Sequence, residues 1–130
     1  MSKYILLFLF IVPMLASAQQ SKLKRRYLGD YSGTISGYEI VSGEEIFSVS
    51  SSEIQITIEK TQVKVTVEGN VVSGAYAIKF EADKYYLLAI TVEGQLITEL
   101  VKVYKHGKRL SREGIYPQPD VELNKEKRKR

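Results

Sequence analysis

From Asp30 onward, apolar residues recur at every second position, the period of strands that bury one face. The clearest case is Glu53 to Glu59, where Ile54, Ile56 and Ile58 alternate with Glu53, Gln55, Thr57 and Glu59. Gln62 to Glu68 repeats the pattern with Val63, Val65 and Val67. Gly69-Asn70 is a two-residue turn signal, and the next strand is predicted from Val71 to Phe80. Glu81 to Asp83 then turns the chain into Lys84 to Val92. That strand is apolar on both faces, with Tyr86, Leu88 and Ile90 on one and Tyr85, Leu87 and Ala89 on the other, so it should lie centrally or under a covering element. Leu96 to Lys105 follows the turn Glu93-Gly94, and a last strand runs from Lys108 to about Tyr116 after His106-Gly107. Ahead of these, Asp30 to Ile35, Tyr38 to Val41 and Glu45 to Ser50 read as shorter strands divided by Ser36-Gly37 and Ser42-Gly43. No stretch after residue 18 carries the pattern of an amphipathic helix.

Short strands joined by tight turns make an all-β antiparallel meander, and closure into a small barrel is the simplest way to remove its exposed edges. A two-sheet β-sandwich is the alternative. The inward set, Ile54, Ile56, Ile58, Val63, Val65, Val67, Tyr76, Ile78 and Phe80, is bulky, which favours a barrel filled by its own side chains over one with a ligand cavity. Only Ser73, Gly74, Ala75 and Ala77 would leave space.

Residues Ile115 to Asn124 break the pattern. Pro117 and Pro119 lack amide donors and favour an extended path, so this segment is not expected to be another ordinary strand. Tyr116, Val121 and Leu123 are nevertheless too apolar for a solvated tail. Tyr116, Pro117, Pro119, Val121 and Leu123 are therefore the candidate partner-binding residues, as an extended segment laid in a groove or along a strand of another protein. The competing expectation is that the arm folds back and plugs one end of its own barrel.

Compartment and charge narrow the class of protein. Lys3, the apolar run Tyr4 to Leu15 and the small residues Ala16-Ser17-Ala18 form a secretory signal peptide, too short to span a bilayer, with cleavage expected before Gln19. The organisation expected is a signal peptide at 1–18, a basic segment at 19–26, a β-barrel domain at 27–116 and an arm with a basic tail at 117–130. With no cysteine, neither lipidation at the new N-terminus nor a disulfide is available, which favours a bacterial periplasm or cell surface. The net charge of +4 hides a division: Lys22, Lys24, Arg25 and Arg26 and the tail Lys125, Lys127, Arg128, Lys129 and Arg130 are basic, while the stretch between them is acidic. The tail residues are candidates for contact with an anionic membrane surface, and otherwise a solvated end. Nucleic acid is not expected as a partner of an exported chain without a recognised binding motif.

Catalytic chemistry finds little support. Thiol nucleophiles are excluded, and the single His106 sits in a turn between Lys105 and Lys108, where water is its expected neighbour. One histidine and no cysteine make a zinc site improbable, no calcium loop occurs, and no cofactor is expected. Adjacent Glu44 and Glu45 point to opposite faces of a strand and do not share a site. Glu99 shares a face with Ile97, Val101 and Val103, and once drawn inside it needs Arg112 or Lys79 as an ion partner. Nine tyrosines without tryptophan suit a β-rich chain, and Tyr38, Tyr85, Tyr104 and Tyr116 are candidates for partial exposure.

Gly29-Asp30-Tyr31 at the head of the first strand is similar to the start of the lipocalin and calycin superfamily, whose first strand carries Gly-x-Trp. That resemblance implies a closed antiparallel barrel in which a late arginine, here Arg112, packs across the ring of Tyr31. Tyrosine replaces the signature tryptophan and the helix that usually follows the barrel is missing, so the family's apolar cavity is not implied. The chain also resembles the short exported β-proteins common in Bacteroidota. The function expected is that of a non-enzymatic exported interaction module, an accessory subunit of a cell-envelope or outer-membrane protein complex, with a lipocalin-like carrier of a small apolar ligand as the alternative. An exported hydrolase inhibitor would need a protruding loop, and the predicted turns all look short.

Overall fold

The structure is a computed structural model that describes residues 23–92, 94, 98–115 and 117–127. The expected signal peptide, the cleavage point at Gln19, Lys22, Tyr116 and the tail residues Arg128, Lys129 and Arg130 lie outside the described residues. After a 3-10 turn at Arg25–Tyr27 come the strands β1 (Gly29–Ile35), β2 (Tyr38–Ser42), β3 (Glu45–Val49), β4 (Ser52–Ile58), β5 (Gln62–Val67) and β6 (Asn70–Glu81). They are followed by β7 (Tyr85–Val92), β8 (Glu99–Tyr104), β9 (Arg109–Arg112) and β10 (Val121–Lys125). Eight of them close an antiparallel barrel in the order β1-β10-β9-β8-β7-β6-β5-β4, with β4 returning to pair along the whole of β1. This all-β closed barrel is the architecture that the alternation predicts, and it is consistent with a small lipocalin-like barrel. β2 and β3 form a separate two-stranded sheet inserted between β1 and β4.

The interior is filled. Ile56, Leu88, Ile90, Val103, Leu110 and Leu123 are fully buried, with Tyr31 and Tyr86 among the larger side chains of the same cluster. Each strand contributes alternate residues, as Ile54, Ile56 and Ile58 do from β4. Tyr76 and Ile78 join this core half-buried, but Phe80 turns outward and is 47% exposed. A bulge explains the reversal: Ile78 pairs with Leu88 while Phe80 pairs with Leu87, so Lys79 is an extra residue and everything after it changes face. On the outer wall the ring of Phe80 meets Tyr85 edge to face at 5.9 Å, and Tyr85 meets Tyr104 at 6.2 Å. Lys102 lies over the Tyr85 ring. The apolar outer face of β7 is thus covered by long side chains of its neighbours.

The C-terminal segment departs from expectation. Val121–Lys125 is a full barrel strand, paired with β9 from Val121↔Arg112 to Asn124↔Arg109 and with β1 at Tyr31↔Lys125. Val121 and Leu123 are core residues and not a partner-binding arm. Pro117 and Pro119 sit in the connection ahead of that strand, where the Gln118 amide donates to the Ile115 carbonyl at 2.9 Å and the Gly114 amide donates to Asp120 Oδ1 at 2.7 Å. The prolines therefore shape a turn and leave the alternation of Val121 and Leu123 free to form a strand. Gly114 has to be glycine, since a Cβ there would lie 2.2 Å from the Gln118 carbonyl oxygen. The barrel domain accordingly extends past residue 116 to Lys125. The β5–β6 turn is also one residue earlier than predicted: Val67 pairs with Asn70, and Glu68 and Gly69 both take positive φ.

Candidate functional site

An antiparallel barrel sends its connections alternately to its two ends. At one end the β1–β4 connection is the β2–β3 hairpin, whose strands pair only with each other, from Tyr38↔Val49 to Ser42↔Glu45. The sequence forms it through β-branched and aromatic residues on both strands, closed by Gly43, whose φ of 63° the turn requires. Its distal half is apolar on both faces, because the cross-strand pairs Ile40↔Phe47 and Val41↔Ile46 occupy adjacent positions and so point to opposite sides. All four side chains are exposed, Val41 by 67% and Ile46 by 63%. Both outer edges of the ribbon also present backbone amides and carbonyls that its own sheet does not pair. An isolated two-stranded hairpin is marginal in water, so apolar exposure on both faces is a cost without a compensating internal contact. Its charged residues, Glu39, Glu44 and Glu45, are acidic, and no Lys or Arg occurs between Ile35 and Glu59.

The predicted site residues fall elsewhere. Pro117 and Pro119 lie in the β9–β10 connection, at the same end as the hairpin. Lys125 and Lys127 stand at the opposite end, where Lys125 Nζ donates to the Arg26 carbonyl at 2.7 Å. Gly29 begins β1 at a φ of 139°, in the left-handed half of backbone space, and a Cβ there would press on the Lys125 side chain at 2.9 Å.

Tyr31 and Arg112 are both buried but do not meet. Arg112 is opposite Val121 and Tyr31 is opposite Lys125, four residues further along β10, or about 13 Å of strand. The Tyr31 hydroxyl instead donates to the Tyr27 carbonyl at 2.9 Å. Arg112 forms the buried ion pair with Glu99, Nη2 to Oε1 at 2.8 Å and Nε to Oε2 at 3.3 Å, and its Nη1 donates to Gln118 Oε1 at 2.6 Å. Among the described residues no buried side-chain polar atom lacks a partner, as a buried charge demands. Burial, with the neighbouring Tyr27, pushes the Tyr31 phenol up to about 12. On the surface, hydrogen bonds from Gln62 and Lys64 hold Glu59 below the usual carboxylate range, and the bond to Glu81 raises Lys105.

Among the described residues no group of three or more His, Asp or Glu side chains could hold a metal ion. His106 is exposed in the β8–β9 turn, and Glu99 is fully engaged by Arg112. Sequence reasoning read both hairpin strands but missed that they leave the barrel. The signal was available in Ile40-Val41 and Ile46-Phe47, adjacent apolar pairs that break the alternation a barrel strand keeps. Comparison with family models, with curated proteins and with solved structures finds no match for the chain.

Proposed function

We propose that this protein is a non-enzymatic binding module that inserts its β2–β3 hairpin into an apolar cleft of a partner protein. The observation that carries the reading is the exposure of Ile40, Val41, Ile46 and Phe47 on opposite faces of one projecting ribbon. A single flat surface would cover only one of those faces, whereas a cleft grips both. The acidic residues Glu39, Glu44 and Glu45 favour a cleft whose rim carries Lys and Arg. The packed barrel interior favours this role over that of a carrier, since the volume a ligand would need is taken by side chains such as Leu88, Ile90 and Leu123. The hairpin also supplies the protrusion that an inhibitor of an exported enzyme requires, so the partner class includes enzymes whose active-site cleft the ribbon would block. An accessory subunit of an envelope assembly in a Bacteroidota-like organism is the setting that the leader-like N-terminal sequence supports.

Photo-crosslinking in native cells tests the reading. A photoreactive phenylalanine at Phe47 should trap one discrete protein, and the same probe at Lys64 on the barrel wall should not. Against that purified protein, Ile40→Ser/Phe47→Ser should bind about 30-fold more weakly with its melting temperature within a degree or two of the parent. Equal affinity of the two forms, or the same product from the Lys64 probe, would sink the proposal.

A further inference from the structure

The end of the barrel opposite the hairpin gathers the segment before β1, the β4–β5, β6–β7 and β8–β9 turns and the stretch after β10. These carry Arg25, Arg26, Lys60, Lys84, Lys108 and Lys127, drawn from five separate parts of the chain. The connections at the hairpin end are acidic, with Glu44, Glu45, Glu68, Glu113 and Asp120 and no Lys or Arg among their described residues. Folding has therefore brought together the two basic segments that the sequence keeps apart and set them against an acidic pole. Of the carboxylates at the basic end, Glu81 is engaged with Lys105, Glu59 with Lys64 and Glu126 with the Ser32 hydroxyl, while Asp83 stands exposed beside Lys84 in the β6–β7 turn and leaves the cations in excess. Arg25, Lys60, Lys84, Lys108 and Lys127 have no carboxylate within ion-pair reach among the described residues. Arg25, Arg26, Lys108 and Lys127 also line a groove of about 1030 Å³ whose two carboxylates, Asp30 and Glu126, accept hydrogen bonds from Thr57 and Ser32, and the sequence continues from Lys127 into Arg128-Lys129-Arg130.

We infer that this basic end docks the barrel on the surface of an anionic phospholipid bilayer and holds the hairpin pointing away from it. Cations spread over a whole end cap at exposed positions, five of them with no carboxylate partner among the described residues, suit a sheet of headgroup phosphates better than a single bound anion. This inference rests on the charge distribution and not on the hairpin's partner.

The test uses the full mature chain and vesicles of phosphatidylcholine with and without phosphatidylglycerol. Co-sedimentation should require the anionic lipid and fall as salt rises. Arg25→Gln/Lys108→Gln/Lys127→Gln should lower the partition coefficient about 100-fold, at about fivefold per charge. Lys79→Gln/Lys102→Gln removes charge from the outer wall, where neither lysine holds a carboxylate among the described residues, and should change it at least ten times less. Because the chain has no cysteine, single labels at Thr61→Cys in the β4–β5 turn and at Ser42→Cys at the hairpin tip read the orientation. A headgroup quencher should dim the first and spare the second. Equal loss in the end-cap and outer-wall variants, equal binding to neutral vesicles, equal quenching of the two labels, or displacement by inorganic phosphate at matched ionic strength would each overturn the inference.

Discussion

Arg112 illustrates how far a single side chain's role depends on register. Alternation on β8 places Glu99 inside, and a buried carboxylate needs a cation, so the candidates Arg112 and Lys79 follow from sequence. Lys79 is the bulged residue of β6 and stays exposed, which leaves Arg112. Arg112→Leu strands the Glu99 charge in the core and should cost about 3–5 kcal/mol, whereas Arg112→Leu/Glu99→Leu should recover most of that loss. Urea unfolding of the two forms checks this, and a double variant no more stable than the single would separate the two residues energetically. Tyr31 makes a second prediction. Its phenol ionises near 10 in the unfolded chain but is pushed up to about 12 in the fold, so the native state keeps its proton longer. Its contribution is fully present below pH 10 and is lost as pH rises towards 12. Tyr31→Phe should cost about 1 kcal/mol at neutral pH through the lost bond to Tyr27. The gap between the two stability curves should then close across the alkaline range, as melting temperatures against pH would record.

At the scale of the element, β10 and the β2–β3 hairpin exchange the roles that their sequences suggest. Val121-Glu122-Leu123-Asn124 has an ordinary period of two, yet the prolines ahead of it argue for an arm. The prolines constrain only the turn they occupy, and the strand beyond is recruited because β1 and β9 would otherwise leave open edges. Ending the chain after Pro119 removes that strand and the burial of Val121 and Leu123. Such a protein should lose its cooperative thermal transition, while one ending after Lys127 should keep it. A truncated form melting as the full chain does would mean that the barrel can close without β10. The hairpin carries acceptable strand patterns but shares no ladder with the barrel, and its apolar residues remain in water.

For the whole molecule, closure creates a polarity that has no counterpart in the linear order. Basic residues near both termini and in three turns meet at one end because eight antiparallel strands return the chain there every second connection. The acidic turns and the hairpin meet at the other. A body with an adhesive pole and a projecting ribbon at the far pole can present a binding element away from a surface, which joins the two proposals in one geometry. Each fails by its own experiment: crosslinking reads the ribbon, and vesicle binding reads the basic cap.

The sequence by itself determined the all-β class and the positions of β1 to β8 to within a few residues, and it favoured a closed barrel over a two-sheet sandwich. Ile54-Ile56-Ile58 and Val63-Val65 can bury one face only as strands, and that is local information. It also determined that Glu99 would need a cation. Tertiary structure alone decided which strands complete the ring, because ring closure depends on pairings between residues as distant as Tyr31 and Lys125. The same long-range register separated Tyr31 from Arg112 by several residues of strand, turned Phe80 outward beyond the bulge and left the hairpin outside the barrel. Periodicity specifies which face a residue takes within its own strand, whereas the neighbour it meets and the pole it joins are set by contacts that the chain makes only when it closes.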